Sequence, residues 1–184
     1  MREEIILIGP INIGKSCTAE LLSVKLSKPH ILIDEIRYKY YDEIGYDHET
    51  AKKLGEEKGF FNGTYRYWKP FELYAIKKIL NEYSDCIFDF GAGHSVYEDD
   101  EMFKEAKKLL TDFKNVILLL PSKDIEESLE FLKEQRNVID DTLEINKHFI
   151  MHHSNYDLCN HIIYVKNKSK DDVVNEIYDI YNAK

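Results

Sequence analysis

The chain contains 184 residues, which suits one domain that is large enough to bury a hydrophobic core. Its formal net charge of −9 argues against a broad nucleic-acid or anionic-membrane surface, because both partners are negatively charged themselves. Cys17, Cys86 and Cys159 form no metal-type pairing and are expected to be reduced thiols of a cytoplasmic protein. No signal peptide is expected, and no apolar run is long enough to cross a bilayer.

Short apolar runs alternate along the chain with segments of helical periodicity. Runs without polar alternation are typical of strands that are buried on both faces of a parallel sheet. The predicted strands are 5–8, 31–33, 86–90, 116–120 and 162–165, and the predicted helices include 19–26, 73–80, 103–110 and 173–180. Repeated alternation of this kind predicts a single α/β domain over 1–184, a three-layer doubly wound sandwich around a five-stranded parallel sheet.

Two segments depart from this simple alternation. Residues 35–69 are polar, rich in tyrosine and too long for a plain crossover, and such insertions often bind substrate. Residues 123–148 lie between the fourth and the last predicted strand. Pro70 is expected in the first turn of the helix that follows the insertion, and Pro121 is expected to close the fourth strand.

The segment after the first strand, GPINIGKS at 9–16, matches the pattern G-x-x-x-x-G-K-[ST]. Glycines let successive backbone N–H groups turn inward as an anion nest, and the following helix adds its positive end. Lys15 would contact the terminal phosphates, and Ser16 would offer its hydroxyl to Mg²⁺. An ordinary strand-to-helix turn is the alternative. The pattern predicts ATP and Mg²⁺ as ligands, with the nucleotide held by Gly9, Asn12, Ile13, Gly14, Lys15, Ser16 and Cys17.

Two carboxylates follow apolar strands at the edge of the sheet where ligands bind. Asp34 follows HILI, and Asp89 lies in CIFDFGAGH. A carboxylate there can hold a metal ion or orient an attacking group, whereas the alternative is a residue that caps the next helix or turn. We assign Asp89, with Ser16, to the metal and Asp34 to the acceptor hydroxyl.

A second glycine pair, Gly91 and Gly93, comes directly after Asp89. Small residues allow a ligand to approach the backbone closely, so both are candidate acceptor contacts. The same spacing also occurs in simple tight turns.

Together these motifs resemble the shikimate kinase group of small P-loop kinases over most of the chain. Asp34 stands at the group's acidic motif, the segment at 91–93 stands at its second glycine motif, and 169–173 stands at its nucleotide-base loop. The resemblance implies ATP as phosphoryl donor and a mobile lid before the last strand, so residues 123–148 are the predicted lid region. The acceptor side departs from the group, since Ile36 occupies the second acidic position, Ala92 interrupts the glycines, and the lid lacks an arginine cluster.

Cations stabilise the charge that develops during phosphoryl transfer. Arg136 is the only arginine in the C-terminal half and lies in the predicted lid, so it joins Lys15 and Asp34 as a candidate catalytic residue. Alternatively, it is a solvated helix residue that pairs with a nearby acid. Arg37, Arg66 and Lys69 lie in or beside the tyrosine-rich insertion, and one of them is expected to contact the acceptor. Arg66, in GTYRYWKPFE, is the favoured candidate, although the aromatic residues beside it more commonly pack against the sheet.

His148, His152 and His153 invite a metal interpretation, because the first two would share a helix face. No cysteine or acidic ligand is fixed beside them in the sequence, so no zinc site is expected.

The motifs leave three functions open. The first is a phosphotransferase that moves the γ-phosphate of ATP to a hydroxyl or phosphate acceptor on a small molecule. The second is an ATP-hydrolysing switch that acts on a partner. The third is a nucleoside monophosphate kinase, which would need several arginines for its acceptor phosphate, and this chain has few.

Overall fold

The computed structural model describes residues 1–134 and 140–183. Five parallel strands form one sheet in the order β2-β3-β1-β4-β5. The strands are β1 (Arg2–Ile8), β2 (His30–Leu32), β3 (Ile87–Asp89), β4 (Phe113–Leu120) and β5 (His161–Tyr164). This arrangement confirms the predicted α/β fold with the phosphate-binding loop after the first strand.

Helices connect the strands and cover the sheet. They are α1 (Lys15–Leu26), α2 (Ile33–Glu43), α3 (His48–Phe60), α4 (Arg66–Glu82), α5 (Asp100–Leu110), α6 (Ile125–Lys133), α7 (Asp140–Met151), α8 (His153–Leu158) and α9 (Lys170–Asn182). A π-helical turn, Phe61–Tyr65, joins α3 to α4. Ser169 and Asp172 cap α9 reciprocally, and each side chain accepts the other residue's backbone N–H.

The core lies on both faces of the central strands. Ile5, Ile6, Leu7 and Ile8 have no exposed surface, and the apolar run of β4 is equally buried. Side chains of a strand point alternately to opposite faces, so an unbroken apolar run is buried only where helices cover both faces. β1 and β4 occupy the middle of the sheet and meet this condition, which places the loop after β1 at its centre.

The second predicted strand, 31–33, is displaced by one residue towards the C-terminus from the observed strand. β2 ends at Leu32, and Ile33 begins α2 with its side chain still fully buried. Burial of an apolar residue is the same in a strand and in the first turn of a helix, so the apolar run did not reveal the boundary. Asp34 therefore lies in the first helical turn rather than at the strand end.

The insertion at 35–69 is almost entirely helical, and it comprises most of α2, all of α3, the π-helical turn and the start of α4. Because the π-helical turn leads directly into α4, the helix starts before Pro70. The prediction that Pro70 lies in the first turn is wrong, since Pro70 is the fifth residue of α4. Pro121 follows the last residue of β4, as predicted.

The predicted lid region contains α6 and most of α7. Arg136 lies outside the described residues, so its candidate role stays a prediction. Cys17, Cys86 and Cys159 carry free thiols. Within the described parts of the chain, every helix is too short or too polar to span a bilayer.

Candidate nucleotide and acceptor site

The loop after β1 has backbone angles that explain its glycines. Gly9 has φ 143° and Gly14 has φ 98°, both in the region that side chains rarely adopt. A Cβ on Gly9 would lie 2.4 Å from the carbonyl oxygen of Leu119, so the loop packs against the end of β4. Gly14 precedes α1, whose N-terminus receives no side-chain cap. Free N–H groups and the helix dipole therefore favour an anion at this point.

Lys15 folds back over this loop. Its Nζ donates hydrogen bonds to the carbonyl oxygens of Gly9 and Pro10, both at 2.9 Å, and its side chain is buried. Burial lowers the pKa of Lys15, while the carboxylates of Asp89 and Asp34 act in the opposite direction. The ammonium group of Lys15 is thus held against the backbone of the loop after β1, with the carboxylates of Asp89 and Asp34 nearby.

Asp89 is the last residue of β3 and lies beside the loop, as predicted. The Ser16 hydroxyl lies close enough to its carboxylate to act to lower the pKa of Asp89, and His30 Nε2 lies 3.6 Å from its Oδ2. Burial is the main cause that raises the pKa of Asp89. Its Oδ2 has no hydrogen-bond partner among the described residues. A buried carboxylate oxygen without a partner, next to a hydroxyl, fits a Mg²⁺ ion, which prefers such oxygen ligands.

Asp34 is exposed at the start of α2 and forms an ion pair with Arg37, with 2.9 Å between Oδ1 and Nη1. The capping alternative for Asp34 is not what the structure shows, because Leu32 is the N-cap residue of α2. A Cβ on Gly91 would lie 2.7 Å and 2.8 Å from the two carboxylate oxygens of Asp34. Gly91 therefore allows the carboxylate of Asp34 to lie directly against the second glycine loop.

A cavity of about 210 Å³ separates the nucleotide loop from the insertion. It brings together Asp34, Gly91 and Gly93 from the sequence prediction and adds Arg37, Glu72 and His94. Aromatic side chains from α3, α4 and α7 line the remainder. The full lining is Ile11, Asp34, Arg37, Phe60, Tyr65, Trp68, Glu72, Gly91, Ala92, Gly93, His94, Ile145 and Phe149.

Arg66, the other predicted acceptor contact, lies elsewhere. It lines a neighbouring cavity of about 550 Å³ together with residues of α7. Arg37 occupies the acceptor-side cavity instead, where its guanidinium carbon lies 5.1 Å from the ring centroid of Trp68. Arg37 and Arg66 both flank aromatic residues in the sequence, so composition alone did not distinguish them.

A buried ion pair supports the second glycine loop. Lys69 Nζ lies 2.5 Å from Glu72 Oε2 and donates hydrogen bonds to the carbonyl oxygens of Gly93, at 2.6 Å, and Val96, at 3.1 Å. On the loop itself, His94 Nδ1 accepts the backbone N–H of Gly91 at 2.8 Å. The sequence carries no signal for this pair, because lysine and glutamate in a helix are usually solvated.

The chain was compared with known proteins. No protein-family model matches it. A shikimate kinase from Flavobacterium psychrophilum is 24% identical over 184 residues, which span 97% of this chain and 98% of that protein.

Solved structures with low sequence identity share the fold. A gluconokinase from Sinorhizobium meliloti has a TM-score of 0.63 at 14% identity, covering 98% of this chain and 93% of its own. A shikimate kinase from Acinetobacter baumannii, solved in complex with shikimate, has a TM-score of 0.60 at 13% identity with the same coverage. The resemblance to shikimate kinase that the motifs predict is thus confirmed over nearly the whole length of the chain.

Proposed function

We propose that this protein is an ATP-dependent kinase that transfers the γ-phosphate to a small hydroxylated acceptor. The observation that carries the proposal is that Ile11 of the nucleotide loop and Asp34 line the same cavity. A phosphate held by the loop and an acceptor held by the cavity would therefore meet without a large rearrangement. The similar proteins are small-molecule kinases, which favours this function over an ATP-hydrolysing switch.

On the nucleotide side, the backbone N–H groups of residues 12–17 would hold the phosphates, and Lys15 would stabilise the charge of the transferred group. Ser16 and Asp89 are the residues that would hold Mg²⁺. When bound, this ion neutralises phosphate charge during transfer. The unpartnered Asp89 Oδ2 and its neighbouring hydroxyl support this assignment.

On the acceptor side, Asp34 would orient the attacking hydroxyl and accept its proton as the new oxygen–phosphorus bond forms. The bond from the γ-phosphorus to the bridging oxygen breaks, and that oxygen leaves with ADP. Arg37, paired with Asp34 at 2.9 Å, would hold the carboxylate in position. Gly91 leaves the space into which this carboxylate projects.

The charges of the cavity favour an acceptor without a phosphate. Among the described residues that line it, Arg37 is the only lysine or arginine, and Asp34 already pairs with it. Glu72 adds a second carboxylate to the wall. A nucleoside monophosphate would bring two further negative charges to this site.

Release of ADP from ATP and Mg²⁺ in the presence of shikimate, gluconate, nucleosides or nucleotides tests the proposal. A small hydroxylated acid or polyol should accelerate ADP release well above the rate with ATP alone, and nucleotides should not. An equal rate with and without every acceptor would instead support the hydrolytic switch.

A further inference from the structure

Three side chains outside the nucleotide and acceptor residues converge on the neighbouring cavity of about 550 Å³. They are Glu98, in the segment between β3 and α5, His148, in the last turn of α7, and His152, directly after α7. We propose that they form a binding site for a late first-row divalent metal ion such as Zn²⁺.

The geometry supports a single shared ligand. One ligand atom from each of the three residues lies within 4.8 Å of the other two. His148 Nε2 lies 2.7 Å from Glu98 Oε1, and the two histidine rings have centroids 5.2 Å apart. The backbone N–H of His152 donates to the carbonyl oxygen of His148 at 3.0 Å, which keeps both rings on one side of the helix end.

The sequence did not reveal this site, because its acidic member is 50 residues from His148. No zinc site was expected because no acidic ligand is fixed beside the histidines. The fold supplies that ligand, since the segment that follows the second glycine loop runs past the end of α7.

The donor set selects the class of ion. Two imidazole nitrogens and one carboxylate oxygen suit Zn²⁺, Co²⁺, Ni²⁺ or Cu²⁺, whereas Mg²⁺ and Ca²⁺ prefer oxygen ligands. The open cavity leaves room for a water or another ligand at the fourth position of a tetrahedral ion. The ion would therefore differ in type and in place from the Mg²⁺ that ATP requires.

Burial lowers the pKa of His152, which favours the neutral ring that a metal needs. Burial acts to raise the pKa of Glu98, but hydrogen bonds, the one with His148 foremost, and the charge of Lys69 together outweigh it, so the pKa is lowered. Arg66 and Lys147 line the same cavity, and Glu98 and Glu144 balance their charges.

Without metal, the same groups form hydrogen bonds. His148 Nε2 and Glu98 Oε1 form a hydrogen bond, and His152 Nδ1 accepts the backbone N–H of Ser154 at 3.2 Å. A metal ion would take the place of the proton between His148 and Glu98 and release it or move it to the other ring nitrogen. Binding would tie the end of α7, which belongs to the predicted lid region, to the segment after the second glycine loop.

Cobalt absorbance and zinc calorimetry on the full chain without nucleotide test this site. The wild-type protein should bind one equivalent of Zn²⁺, and bound Co²⁺ should show the visible spectrum of a coordinated ion. His148→Ala and Glu98→Gln should each weaken binding by at least about tenfold, because even the loss of a supporting residue has an effect of this size. Zinc should also raise the thermal midpoint of the wild-type protein.

His153→Ala is the matched control, because His153 adjoins His152 but pairs with Asp157 Oδ2 at 2.9 Å instead. It should bind Zn²⁺ like the wild type. Melting curves with a chelator show whether each variant is folded, and Glu98→Gln keeps the side-chain shape if His148→Ala does not fold. No stoichiometric binding by the wild type, or unchanged affinity in folded Glu98→Gln, would overturn the proposal without touching the kinase function.

Discussion

The nucleotide side and the acceptor side of this protein are built in different ways. The nucleotide side is one continuous segment, residues 9–17, whose backbone angles and helix start are local properties of the chain. The acceptor cavity draws its wall from five separate parts: the nucleotide loop, α2, the end of α3 with α4, the second glycine loop, and α7. A local motif can therefore stay recognisable while the cavity beside it changes its specificity.

The two sides also differ in how charge is held. On the nucleotide side, Lys15 donates hydrogen bonds to two backbone carbonyls, and Oδ2 of the neighbouring Asp89 has no hydrogen-bond partner among the described residues. On the acceptor side, Arg37 pairs with Asp34 and Lys69 pairs with Glu72. The first arrangement is open to a charged ligand, whereas the second is close to internal neutrality. This difference leads to four expectations.

The largest effect should come from the nucleotide side. Lys15→Ala removes the cation over the phosphate loop, and kcat/KM should fall by about 10³-fold with every acceptor. Calorimetry should show weaker ATP binding as well. Lys25→Ala, an exposed residue of the same helix, should behave like the wild type. Equal ATP affinity in Lys15→Ala and in the wild type would contradict the proposal that this loop binds the phosphates of ATP.

On the acceptor side, Asp34→Asn should lower kcat by about 10²-fold, because asparagine cannot accept the hydroxyl proton. Affinity for ATP should stay unchanged. The thermal midpoint should fall only slightly, since one acid in the first helical turn contributes about 0.3–1 kcal/mol. Glu35→Gln removes the neighbouring exposed charge and serves as the control. Retained turnover in Asp34→Asn would remove Asp34 from the mechanism.

Asp89→Asn should separate function from stability. The Mg²⁺ concentration for half-maximal activity should rise by about tenfold, because a charged oxygen ligand is lost. The metal-free protein should melt about 2–4 °C higher, since burial of the charge costs roughly 1 kcal/mol.

The stability gain of Asp89→Asn should depend on pH. The raised pKa of Asp89 means that the folded state favours its protonated form. The contribution of the Asp89 carboxyl to the stability of the wild type is thus fully present at low pH and is lost as the pH rises through that pKa. The difference between variant and wild type should therefore vanish in acid and grow towards neutral pH. An unchanged Mg²⁺ titration together with an unchanged melting curve would contradict the metal-binding role of Asp89 and leave it a structural role at the end of β3.

The smallest effect should distinguish the two cavities. Arg37→Lys keeps the charge but loses the planar contact with Trp68 and with the Asp34 carboxylate, so the KM of the acceptor should rise about five- to tenfold. Arg66→Lys changes the neighbouring cavity and should leave that KM unchanged. The reverse pattern would move the acceptor into the cavity lined by Arg66.

The sequence predicts the sheet and the nucleotide loop well for physical reasons. Fully buried strands such as 5–8 need unbroken apolar runs, and the angles at Gly9 and Gly14 need residues without a side chain. The acceptor side was less predictable. The role of Arg37 and the buried pair of Lys69 and Glu72 depend on how α2 and α4 pack against the second glycine loop, and this long-range packing leaves no local pattern.

The central claim is direct transfer of the γ-phosphate to a small acceptor beside Asp34. ATP labelled on its γ-phosphate, incubated with the best acceptor from the ADP-release screen, tests this claim most directly. The label should appear on the acceptor in a ratio of one to each ADP formed, and Asp34→Asn should reduce that transfer while it still binds ATP. Label that appears only as inorganic phosphate, at a rate independent of the acceptor, would contradict the account.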